Sequence, residues 1–305
     1  MGGRGTAFNS GAARNAGHMG SASDAKAFDD LKQYMQDKHG IHVSDGLKNC
    51  DFQSVKAAAQ GMEDILTEFP QAAAVMHQLT DGEKRSGAYA SASFYGNVNL
   101  NPDKFRNRYA LEASYSQDLF SKFHPKGTTA DSVPVHEAGH LLERALIEKH
   151  MGGEHTLFKI PEWNKSTYAK SVISEACKAA KRTPDGKGMK NDELIRGVSR
   201  YATKNRSETL AECVADYHAN RENASPLCRE VWKILKRELG YIYAGGEHME
   251  TMDEKFLLRE KTMQYVIEDE DTCEIIGLRD DAPDDVRADY EAMLAEMESA
   301  EPIVR

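Results

Sequence analysis

His136-Glu137-Ala138-Gly139-His140 is the stretch that most narrows what this chain can build. It reads H-E-x-x-H inside a run where Val135, Leu141, Leu142, Ala145 and Leu146 recur at helical spacing. Two histidines four positions apart on a helix differ by about 40° in direction, so both imidazoles leave the same face. They can fill two positions of a tetrahedral zinc ion. Glu137 lies one residue off that face, where a carboxylate can take a proton from a metal-bound water. Asp131 or Ser132 is expected to cap this helix, Pro134 is tolerated in its first turn, and Gly152-Gly153 ends it.

A catalytic zinc takes three protein ligands and keeps one position open. An all-histidine set, H-E-x-x-H-x-x-G-x-x-H, needs glycine at 143 and histidine at 146, where this chain has Glu143 and Leu146. His150 and His155 lie too far along or around the helix to fold back. A later helix, expected from Glu208 to about Asn220 and capped by Asn205 or Ser207, carries Glu208 and, one turn on, Glu212. A Glu208 carboxylate completes a His₂Glu set, and Glu212 can then accept a hydrogen bond from a ligand imidazole and so set its tautomer. The register leaves an alternative open: Glu212 with Asp216 has the same i, i+4 spacing, which makes Glu212 the ligand.

The rest of the chain reads as support for this pair of helices. Residues 1–23, rich in Gly, Ala, Ser and Asn, bury too little to order themselves and are expected to be a flexible leader. Residues 24–245 form the main domain, with helices at Asp24–His39 and Ser54–Phe69. Between Gly87 and Leu100, alternating small and aromatic residues with Gly96-Asn97 as turn chemistry predict one or two antiparallel strands. The expected fold class is α+β, mostly helical, with a small antiparallel sheet packed on the H-E-x-x-H helix. Tyr89, Phe94 and Tyr95 sit on the segment placed to be a substrate-pairing edge strand.

Charge separates the last part from the rest. From Gly246 onward there are 19 acidic and 6 basic residues, net −13 against −10 for the whole chain, so the preceding residues sum to +3. Residues 246–305 are therefore read as an acidic appendage, with strand-like pieces at Tyr265–Ile267 and Ile275-Ile276 and an amphipathic helix at Pro283–Met297. No basic stripe tracks phosphates, so nucleic acid is not an expected partner. No run of about 18 apolar residues predicts a membrane span, and the first residues hold no apolar signal region. Five dispersed cysteines read as reduced thiols. A cytoplasmic or virion-associated location is the expectation.

Tyr201, followed by Glu208 and Glu212 after H-E-x-G-H, resembles the catalytic domain of the anthrax lethal factor-like zinc peptidases. That resemblance implies a zincin-like, gluzincin-type fold binding one Zn²⁺ through His136, His140 and Glu208. It also implies Glu137 as general base, Tyr201 as a hydroxyl stabilising the transition state, and Glu212 as the second acidic position. Asn97-Val98-Asn99-Leu100-Asn101-Pro102 and His124-Pro125-Lys126-Gly127-Thr128 resemble a second group, zincin domains in minor head or head-morphogenesis proteins of phages and prophages of Gram-positive bacteria. The likeness covers about residues 80–240. It departs at Thr209-Leu210, where the toxin has aromatic residues. The implied activity is a metalloendopeptidase acting on a protein or peptide, with phage head or portal components as further partners. Two rivals stand beside it: a non-catalytic minor head protein that keeps the fold as a scaffold, and an effector or toxin-like protease.

Overall fold

The computed structural model describes residues 22–82, 87–240, 262, 265–268 and 275–299. Contacts divide the chain into two compact units, residues 1–242 and 243–305. The first is mostly helical with a small mixed sheet. Its elements run α1 (Ala22–His39), β1 (His42–Val43), α2 (Phe52–Glu68), β2 (Gln78–Thr80), β3 (Ala90–Ala92), β4 (Asn97–Leu100), α3 (Pro102–Phe105) and α4 (Arg108–Phe120). There follow α5 (Ser132–Met151), α6 (Thr156–Asn164), α7 (Thr167–Ala180), α8 (Asn191–Val198), α9 (Arg206–Asn220) and α10 (Pro226–Leu239). The second unit contains an antiparallel pair, β5 (Val266–Glu268) and β6 (Ile275–Leu278), and α11 (Asp284–Ser299), close to the strands and acidic helix expected there. Of the expected leader, residues 1–21 lie outside the described residues, and Ala22 and Ser23 already belong to α1.

The sheet corrects one expectation. Its order is β1-β2-β4-β3; β3 and β4 form the expected antiparallel hairpin, pairing Ala90 with Leu100 and Ala92 with Val98. Yet β1 with β2 and β2 with β4 are parallel, so the sheet is mixed rather than antiparallel. The two parallel strands have two and three residues, too short to leave a period in sequence. Their pairing is made by crossovers through α2 and the hairpin. The hairpin turns at Gly96, where φ is +86° and a Cβ would lie 2.3 Å from the Val75 carbonyl oxygen, so glycine is required. Among the described residues β3 is an edge of this sheet, and it runs beside α5.

α5 is the centre of the first unit. From Ser132 to Ile147 every residue but His140 is buried, so the helix is packed on all sides rather than amphipathic. α2, α6, α7, α9 and β3 surround it. Leu141, Leu142, Leu146 and Ile147 are each at most 1% exposed, and each such side chain contributes about 1.5–3 kcal/mol through burial. Asp131 precedes the helix without capping it; its carboxylate instead pairs with Arg108 at 2.8 Å. Among the described residues no helix is long and apolar enough to cross a membrane, and Cys50, Cys177, Cys213 and Cys228 are buried free thiols.

The closest approach to α5 is made by α9. A Cβ on Gly139 would stand 2.8 Å from the Ala211 Cα, closer than real Cβ atoms come. The neighbour is helix backbone, so it cannot rotate away. Gly139→Ala gains about 1 kcal/mol of intrinsic helix propensity but overpacks this crossing at a cost of about 1–3 kcal/mol. A lowered Tm is expected, because the substitution forces apart the two helices that share the most extensive contact in this unit. A Tm equal to or above that of the unaltered chain would show that the two helices can part freely.

Candidate metal centre

His136 and His140 stand one turn apart on α5 and face α9. On α9 the N-cap is Asn205, whose side chain accepts from the Glu208 N–H at 2.9 Å. That cap puts Ser207 and Glu208 in the first turn, against the histidines. The Glu208 Oε2 lies 3.2 Å from the His136 Nε2 and 3.4 Å from the His140 Nε2. A tetrahedral ion with bonds of about 2.0–2.1 Å sets its donors about 3.4 Å apart. Donor atoms of the three residues all lie within 4.8 Å of one another, and among the described residues this is the group suited to a metal ion. The donor set, two imidazoles and a carboxylate, fits Zn²⁺.

What lies behind each ring decides which nitrogen is free. The His136 Nδ1 is 2.9 Å from Glu212 Oε1. The contact is bent away from the N–H direction, so we read it as a close electrostatic pair rather than an aligned hydrogen bond. The Nδ1 of His140 is 2.9 Å from Ser207 Oγ, and that hydroxyl donates to Glu143 Oε2 at 2.6 Å. With its proton committed to Glu143, Ser207 can only accept from His140. Each ring thus has an acceptor oxygen behind Nδ1 while its Nε2 faces Glu208, the arrangement that leaves Nε2 to a metal when one is bound. Glu143, fully buried, is also fixed by the Ala169 N–H at 3.2 Å. Burial raises its pKa, against the opposing pull of Ser207.

Glu208 carries a second set of contacts on its other oxygen. Oε1 accepts from the Tyr201 hydroxyl and from Lys204 Nζ, each at 2.9 Å. Burial would lift the Glu208 pKa, but the hydrogen bonds from His136 and His140 outweigh it and hold the carboxyl well below the usual range. Glu212, 1% exposed, behaves alike: burial pushes upward, His124 and His136 pull harder, and its pKa falls to about 2. Burial would lower the His136 pKa, yet Glu208 and Glu212 raise it well above the ordinary histidine value. Burial first, then the adjacent Glu208, lifts the Tyr201 hydroxyl to about 12, so it is a donor at neutral pH.

The residues expected at this site therefore divide. His136, His140, Glu208, Glu212 and Tyr201 come together, and Glu137 is buried at the lip of an adjoining cavity. Glu208, not Glu212, has the oxygen between the two Nε2 atoms, so the geometry favours one of the two registers left open. Of the edge-strand aromatics, only Tyr89 lines that cavity. Phe94 is buried between Trp163, 5.9 Å away, and the Arg144 guanidinium, 4.2 Å above its ring, and Tyr95 packs edge-on against Phe94. Sequence reasoning missed Ser207, Glu143, Lys204 and His124 as parts of the site. Lys204 had a signal, its i, i+4 spacing to Glu208. His124 had only its place in the stretch 124–128; it arrives because the Arg200 and Tyr201 N–H groups bond to the Lys122 and Phe123 carbonyls, at 2.8 and 3.1 Å.

Compared with protein-family models, with curated proteins and with solved structures, the chain matches none.

Proposed function

We propose that this protein is a zinc-dependent endopeptidase with a zincin-like arrangement of α5, α9 and the β3 edge. One observation carries the reading: two Nε2 atoms converge on one Glu208 oxygen while both Nδ1 atoms are backed by acceptors. With an ion bound, the acceptors behind the Nδ1 atoms would keep the ring protons there and leave both Nε2 atoms to the metal. His136, His140 and Glu208 would hold the ion, which when bound supplies Lewis-acid activation of a water and a substrate carbonyl.

The chain's own groups then have distinct tasks. Glu137, 7% exposed, takes the proton of the attacking water and returns it to the leaving amine. Tyr201 donates to the developing oxyanion, a task for which its hydroxyl must leave Glu208 for the substrate. Lys204 remains on Glu208 and keeps the carboxylate charged and in place. β3, an edge of the sheet among the described residues, is the edge along which an extended substrate adds as a further strand. The association with phage heads rests on the resemblance of residues 97–102 and 124–128.

Metal analysis and a proteolysis assay test the reading together. The purified chain should carry about one zinc, cleave an unfolded protein such as reduced casein, lose that activity to a chelator and regain it with added zinc. A folded chain that takes up no zinc, or cleavage indifferent to chelation, sinks it.

A further inference from the structure

A cavity of about 260 Å³ shares His136 and Glu137 with the metal centre. Its walls are aromatic. The Tyr115 and His124 rings stack at 4.6 Å and 6°, and Phe123 stands edge-on to His124 at 5.0 Å. Tyr89 closes another side, and Asp118 is half-buried beside it. Among the described residues the lining includes no lysine or arginine.

Among the described lining residues the carboxylates are Asp118, Glu137 and Glu212. The Tyr89 hydroxyl donates to Asp118 Oδ2 at 2.6 Å, and the Tyr115 hydroxyl is paired with Thr128 Oγ1 at 2.8 Å. His124 Nδ1 faces the Glu212 carboxylate at 3.3 Å, which keeps the ring proton on that nitrogen and leaves Nε2 as an acceptor. That Nε2 is buried with no partner. That nitrogen is closed to solvent, so the acceptor this cavity offers a ligand is the half-buried Asp118 carboxylate.

We propose that this cavity receives a basic side chain, arginine or lysine, of the peptide substrate, with Asp118 as its counter-ion and the aromatic wall around its stem. The substrate class rests on the peptidase reading above, but the pocket's chemistry does not. A guanidinium or ammonium satisfies the carboxylate through a charge-assisted bond, and its apolar stem packs along the aromatic wall. An acidic side chain meets Asp118 and Glu137. An apolar one removes water from Asp118 and returns no partner.

Binding tests this without requiring turnover. The zinc-supplemented full chain is titrated with N-acetyl-arginine amide, N-acetyl-lysine amide and N-acetyl-norleucine amide, followed by NMR shifts. A basic amide should bind about tenfold or more tightly than norleucine amide. Asp118→Asn, checked for an unchanged fold in the same spectra, should erase that difference; Asp118→Ser gives a second route to the same outcome. Norleucine amide binding as well as the basic amides, no binding by any, or a preference untouched in both variants overturns the proposal. If arginine amide binds as expected yet no protein is cleaved, the pocket stands and the peptidase reading falls.

Discussion

Glu208→Ala is expected to remove high-affinity zinc binding, and Glu212→Ala only to weaken it. The first deletes the oxygen that lies 3.2 and 3.4 Å from the two imidazole Nε2 atoms. The second removes the carboxylate behind His136, leaving all three donors present but one ring free to turn. Loss of such a supporting carboxylate typically costs about 10–100-fold in metal affinity, so Glu208→Ala should exceed that range. Zinc titration against a competing chromophoric chelator reads both. Because Glu208→Ala also strips Tyr201 and Lys204 of their acceptor, Glu208→Gln, which keeps the shape, should accompany it, with circular dichroism to verify the fold. If Glu212→Ala proves the more damaging of the two, the ligand assignment is reversed.

The second large effect belongs to Glu137. Glu137→Gln preserves the side chain's shape within a buried setting and removes its capacity to take a proton. Zinc content should stay at the level of the unaltered chain while kcat falls by about 10²–10⁴, with little change in KM, as for loss of a general base. A variant that keeps both its zinc and its rate removes Glu137 from the chemistry. One that loses zinc as well shows that Glu137 supports the ligand set, and the rate would then say nothing about proton transfer. The two experiments separate metal holding from proton handling, which the geometry keeps on different sides of α5's histidine face.

How much of the site could be read in advance follows from sequence distance. His136, Glu137 and His140 lie within five positions on one helix, so helical periodicity alone sets their relation. Glu208 and Glu212 were legible as a pair on a second helix, but their register against the first was not. It depends on Asn205 capping α9 and on Gly139 admitting Ala211. Nor could the choice of tautomer be read, since it rests on Glu143 meeting Ser207 across 64 positions. The same holds for His124, 88 positions from Glu212. The hairpin strands were visible through alternation and turn residues. The two short parallel strands were not, because pairs so brief carry no period of their own.

Spacing and composition alone establish a helix with two imidazoles and a carboxylate on adjoining faces, a second helix with two carboxylates one turn apart, and an acidic final segment. These follow from local geometry, in which 3.6 residues per turn converts spacing into direction. It takes the folded chain to bring Glu208 rather than Glu212 to both Nε2 atoms, to set Tyr201 and Lys204 on its outer oxygen, and to open an aromatic cavity with Asp118 beside Glu137. Gly139, with no Cβ, sets how closely α9 sits on α5, and a slip of α9 by one turn would be needed to bring the other carboxylate to the histidines.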